Sequence, residues 1–126
     1  MDIKVFPFIA FGGMAGALAR WGVLEVLPEI STWPWQIFIV NMVGCCVLGI
    51  IMAEPFQSSA PRTFAGLTTG FCASFTTFSI FSVELAELLR SKEIAIASTY
   101  LIASSFGGLL LLLASKVVFS RMRVFK

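Results

Sequence analysis

The chain has 126 residues, 58% hydrophobic and only 13% charged, with a mean hydropathy of +0.94. A soluble domain is about one quarter charged, so the composition excludes an ordinary soluble enzyme and points to an integral membrane protein. The net charge of +2 gives no basic footprint, and no nucleic-acid partner is expected.

Four stretches lack Asp, Glu, Lys and Arg: residues 5–19, 30–53, 63–83 and 94–115. The last three count 24, 21 and 22 residues. At ~1.5 Å per residue, each reaches the ~30 Å of a hydrocarbon core. The first also spans if Arg20 is tolerated inside it. The expected fold is therefore all-α: one transmembrane domain over 1–126, with helices at about 5–27, 33–53, 62–89 and 94–118. No room remains for a soluble catalytic domain, and no enzyme activity is expected. Pro7 and the Gly12-Gly13 pair interrupt the apolar start, so it reads as an uncleaved first helix rather than a signal peptide.

Helix 1 carries Gly12-x-x-x-Gly16, a spacing that lets another helix approach closely. Leu27-Pro28-Glu29 begins a turn, and Trp33-Pro34-Trp35 opens helix 2, with Trp at the lipid interface. Helix 2 has one strongly polar residue in its interior, Asn41, and is expected to end at Glu54-Pro55. Its amide can join two helices or donate two hydrogen bonds to a dehydrated anion. Cys45, Cys46 and Cys72 lie inside these helices with no CxxC or Cys/His spacing, and the chain has no His. They read as small apolar residues, and a conventional zinc or haem site is excluded.

Helix 3 holds the most informative stretch: Gly70-Phe71-Cys72-Ala73-Ser74-Phe75-Thr76-Thr77-Phe78-Ser79-Ile80-Phe81-Ser82-Val83-Glu84. A segment that only spans would be Leu, Ile and Val. Here Ser74, Thr76, Thr77, Ser79 and Ser82 sit at membrane depth, where polar groups are costly and mark pathways. The plainer reading is that these hydroxyls bond back to their own helix. Phe78 and Phe81, three residues apart, share a helix face. Ring edges carry partial positive charge, so rings among hydroxyls suit a small, hard anion. The small and hydroxyl residues near 73–77 suggest a break in the helix. Irregular backbone at that depth must be buried in protein or line water. Glu84 is the carboxylate beside this run, at the end of a pathway or at a vestibule edge.

Helix 4 carries Tyr100, Ser104, Ser105 and Gly107-Gly108, then a run at 109–113 that faces lipid. Tyr100 suits an interfacial belt. Arg20 reads equally as a snorkelling interface residue and as a charge drawing an anion into a vestibule. Lys4, Arg62, Lys116, Arg121, Arg123 and Lys126 fall on one side of four helices, against Arg90 and Lys92 on the other. Taken alone this favours cytoplasmic termini, although the bias comes almost wholly from the tail.

Across its whole length the chain resembles the small fluoride channels known as Fluc or CrcB. The resemblance is carried by Gly12-Gly13-x-x-Gly16-x-x-x-Arg20-Trp21, by Trp33-Pro34-Trp35 with Asn41-x-x-Gly44, and by the helix 3 run above. It implies an antiparallel, dual-topology homodimer of four-helix subunits in the plasma (inner) membrane, with the third helix broken near its middle. It implies passive export of cytoplasmic fluoride, which relieves fluoride toxicity. Phe78, Phe81 and Asn41 match pore residues, with Thr77 and Ser79 beside them. Tyr100 and Ser104 match its polar track, and Arg20 and Glu84 its vestibule. The carbonyls of Ala73 and Thr76 match ligands of a central structural sodium ion (Na+) shared by the dimer. The Gly12 and Gly16 face, with helix 3, is the expected dimer contact. Ala73-Ser74 stands where Gly-Gly is frequent, Ile80 where Thr is common, and Ile37 and Gly108 where a hydroxyl is often found. The alternative is a small four-helix multidrug or cation exporter. That class needs a titratable acid deep in helix 1, where this chain has none before Glu25. A structural subunit of a larger complex would leave the Thr-Thr-Phe-Ser-x-Phe run unexplained.

Overall fold

A computed structural model describes residues 2–29, 31–53 and 56–124. The expected helix end at Glu54-Pro55 lies outside the described residues. A short 3-10 turn, Ile3–Val5, leads into α1 (Phe6–Val26). Then come α2 (Trp35–Ala53), α3 (Phe56–Ser59) and α4 (Pro61–Ala65), a π-helical stretch Gly66–Cys72, α5 (Ala73–Phe75), α6 (Phe78–Arg90) and α7 (Ile94–Val124). Among the described residues, Ile3–Val26, Trp35–Ala53, Pro61–Arg90 and Ile94–Met122 are long and apolar enough to cross a membrane. The chain is a multi-pass membrane protein of four helical spans.

The first and third spans pack backbone to backbone. A Cβ at Gly12 would fall on the Gly66 carbonyl oxygen, and one at Gly16 on the Phe71 carbonyl oxygen. Gly66 and Gly70 return the approach, meeting the carbonyls of Phe8 and Ile9. The dimer contact expected on the Gly12 and Gly16 face is therefore corrected: within one chain its own third span occupies that face. Small residues there give the dispersion contacts that replace hydrophobic driving force in lipid.

Local rules explain the ends of these elements. Pro7 sits in the first turn of α1, where no backbone donor is lost. At the other end the Gln36 amide donates to the carbonyls of Leu24 and Leu27, capping orphan acceptors. Helix α2 begins at Trp35, so Trp33 and Pro34 precede it. Instead of facing lipid as a belt, the Trp33 ring packs on Trp35, Phe38 and Tyr100, at centroid distances of 4.4, 4.9 and 5.2 Å. Arg62 pairs with Asp2 at 2.8 Å. The Lys4 backbone N–H and the Arg62 guanidinium hold the Asp2 carboxyl below its ordinary range. The small buried core joins Ile37, Phe81, Leu88, Ala97 and Tyr100. Leu109, Leu110 and Leu113 are exposed on α7, as a lipid face requires.

Between α5 and α6 the chain leaves helical geometry. Thr76 has φ −74° and ψ 160°, and Thr77 has φ −145° and ψ 120°. The Thr77 side chain then caps α6, accepting from the Ile80 N–H.

Candidate functional site

Side chains from the first and second spans converge on these two extended residues of the third. Asn41 of α2 accepts the Thr77 N–H on its Oδ1 at 2.9 Å and donates through Nδ2 to the Thr77 carbonyl at 3.2 Å. Arg20 of α1 donates through Nη1 to the Thr76 carbonyl at 3.4 Å. The Arg20 head group therefore turns inward to the chain, not outward to the interface. The Thr77 hydroxyl lies 3.2 Å from that of Ser79. In a continuous helix the Thr77 N–H would bond the Ala73 carbonyl; here Asn41 takes it.

A cavity of about 380 Å³ opens beside this knot. Asn41, Thr76, Thr77, Phe78, Phe81 and Ser104 line it, and so does Ala73. Phe78 is 80% exposed and Phe81 only 8%, with ring centroids 5.9 Å apart. The rings thus share a face but have different surroundings. Phe81 belongs to the core, and Phe78 stands out from the chain. The Ser104 hydroxyl is buried and is the one such side-chain atom without a hydrogen-bond partner among the described residues.

Two of the expected site residues fall elsewhere. Tyr100 is wholly buried, not interfacial, and its hydroxyl donates to Glu84 Oε2 at 2.7 Å. Glu84 borders a separate pocket of about 290 Å³ with Trp33, Gln36 and Glu87. Ser79 is exposed and touches only the edge of the knot, through Thr77.

The plain reading of the hydroxyls holds for several of them. Thr76 donates to the Cys72 carbonyl and Ser82 to the Phe78 carbonyl, each four residues back. Thr77, Ser79 and Ser104 are among the hydroxyls not spent in that way. Met42, Cys45, Thr68 and Ser105 also line the cavity, although none of them was expected as a site residue. Helical spacing from Asn41 could have found Cys45, at i+4. Gly108 lies where the resemblance favours a hydroxyl. A Cβ there would meet Cys45 Sγ at 3.1 Å and Met42 Cε at 3.3 Å, so sulfur and methyl have taken the room.

The arrangement offers hydrogen-bond donors and ring edges to a small anion and carbonyl oxygens to a hard cation. Residues 7–116 match the model of the family described as "CrcB-like protein, Camphor Resistance (CrcB)". The chain is 42% identical over 107 residues to a fluoride-specific ion channel FluC of Chlorobium phaeobacteroides (strain BS1), covering 82% of this chain and 84% of that protein. It is 36% identical over 110 residues to fluoride-specific ion channel FluC 1 of Moorella thermoacetica, covering 84% and 79%. It is 35% identical over 112 residues to a fluoride-specific ion channel FluC of Flavobacterium psychrophilum, covering 86% and 90%. With a family match over most of its length and relatives at this identity, the chain belongs to the CrcB-like family.

Proposed function

We propose that the chain conducts fluoride passively across the plasma membrane, along a path past the Asn41 cavity, and so relieves the cytoplasm of fluoride. The unpartnered Ser104 hydroxyl carries this reading. A polar group buried without a partner at membrane depth costs free energy. Its neighbours Asn41 and Thr77 are polar, and the cavity also holds the Phe78 and Phe81 rings. An anion shedding water there meets an O–H, an N–H and ring edges, while the Arg20 guanidinium is held at the Thr76 carbonyl and is not among the residues that line the cavity. The relatives' names supply the identity of the ion. An exporter of the multidrug type has less support, because helix α1 lacks a carboxylate before Glu25.

A second copy, inserted antiparallel, completes the path. Phe78 and an open cavity bearing Asn41 and Thr77 would otherwise face lipid. A two-fold axis lets one patch serve as both halves of an interface. A C-terminal tag reachable from only one side of the membrane in cells would contradict this.

The carbonyls of Ala73 and Thr76 fit a sodium ion on that axis. Asn41 has taken the donor that Ala73 would use in a helix, and the Thr76 carbonyl keeps a lone pair beside its long bond to Arg20. Two oxygens per chain make four in a dimer, a hard donor set. A bound ion would tie the two chains together at the extended residues.

Ser104→Ala tests the cavity. If the hydroxyl were idle, its removal would be neutral or stabilising. If it serves the anion, fluoride efflux from liposomes falls about tenfold with the fold intact. Efflux at the wild-type rate would remove Ser104 from the path.

A further inference from the structure

We propose that Asn41 is a positioning residue as much as an anion ligand: its amide acts as a substitute peptide group that holds the third span open at Thr77. Its Oδ1 takes the Thr77 N–H at 2.9 Å and its Nδ2 returns a bond to the carbonyl of the same residue at 3.2 Å. This is the pairing one strand residue makes with another in an antiparallel ladder. It uses the amide's acceptor and one of its two N–H groups, which leaves a single N–H for the cavity.

The need for such a group follows from the bilayer. An extended residue inside a membrane span has a peptide N–H and C=O that no helix satisfies, and lipid offers neither donor nor acceptor. Only a side chain carrying both, spaced like a peptide, satisfies the pair at once. Ser or Thr would satisfy them less completely. Asp offers two acceptors unless protonated. Arg20 completes the clamp one residue earlier, at the Thr76 carbonyl, 3.4 Å away.

The clamp also decides where free oxygens lie. With Asn41 present, the Thr77 N–H is withheld from the Ala73 carbonyl. Without it, the cheapest repair is to return that N–H to Ala73 and heal the helix. The Ala73 oxygen and the Thr77 cap of α6 would be lost together. Asn41 thus sets the backbone of the interruption as well as facing the cavity. Its flux consequence rests on the reading of that cavity as the fluoride path; its backbone consequence does not.

The test pairs a structural readout with a pH profile. Carbon chemical shifts of Thr76 and Thr77, which report backbone φ and ψ, and Thr77 amide hydrogen exchange are measured by NMR in lipid bicelles. For Asn41→Ala the Thr76 and Thr77 shifts move toward helical values, or Thr77 exchange accelerates about tenfold or more. For Asn41→Asp, fluoride efflux is measured from about pH 8 to about pH 5.5, with the leak of protein-free liposomes subtracted. The ionised carboxyl accepts from the Thr77 N–H but repels its carbonyl. Once protonated it donates to that carbonyl and restores the clamp, without restoring the second N–H. Flux therefore rises as the pH falls, and the Thr77 signals return to wild-type positions with the same midpoint. Asn41→Ala with wild-type shifts and exchange overturns the proposal. Asn41→Asp that stays inactive after its Thr77 signals have returned overturns the flux consequence of the clamp, since the missing N–H to the anion then carries all of the lost flux. If Asn41→Ala does not fold, the Asn41→Asp titration decides. If wild-type liposomes release no fluoride, the channel reading fails, while the Thr76 and Thr77 shifts still decide the clamp.

Discussion

Phe78→Ile is expected to cut fluoride efflux about a hundredfold, equivalent to ~2.7 kcal/mol, with little change in the stability of the fold. The ring is 80% exposed in the single chain, so a swap between apolar side chains there removes little packing. It does remove the positive ring edge, and an aliphatic group offers a dehydrated anion nothing in exchange. Phe81 gives a less clean test, although the two rings share a helix face. It is 8% exposed and packs against Tyr100 at a centroid distance of 4.9 Å. Phe81→Ile therefore carries a packing cost of about 1 kcal/mol as well as any loss of flux. The informative outcome is a Phe78→Ile protein that elutes and melts like wild type but conducts poorly. Wild-type flux in that variant would take the Phe78 ring out of the path, and wild-type flux in Phe81→Ile as well would return Phe81 to a packing role alone.

Gly16→Leu is expected to destabilise the fold by about 3 kcal/mol or more, with most of the protein failing to extract as a single species. The obstacle at Gly16 is the Phe71 carbonyl, a backbone group that cannot rotate aside. The spans would have to separate, and the adjacent close approach of Gly12 to Gly66 would be lost with them. Gly22→Leu is the control, since nothing lies within 4 Å of a Cβ there. It should be neutral or slightly stabilising, because glycine is a poor helix former. Reversible unfolding of both variants in mild detergent separates the cases. Equal stability of Gly16→Leu and wild type would refute the contact.

The four spans were legible because a bilayer permits so few spanning structures: charge-free length nearly determines them. The Gly12-x-x-x-Gly16 signal announced a close helix neighbour but could not say which, since small residues mark an approach and not a partner. The structure gives that neighbour as the chain's own third span. Asn41 was visible as the amide in the interior of its helix, yet its pairing with Thr77 was not. That bond joins residues 36 apart and depends on the path of the backbone. Tyr100 misled because its distance from the turn suited an interfacial belt, whereas Trp33, Phe81 and Glu84 bury it completely. The hydroxyls divided in a way no pattern could have shown. Ser82 and Thr76 bond back one turn, and the orphan is Ser104, on another span.

The most direct measurement compares fluoride and chloride efflux from liposomes containing the purified protein, each followed with an ion-selective electrode. A small path lined by an amide, hydroxyls and ring edges should release fluoride rapidly and retain chloride, because the smaller ion is the stronger hydrogen-bond acceptor. Chloride efflux comparable to fluoride, or no fluoride efflux above that of protein-free liposomes, would contradict a fluoride channel.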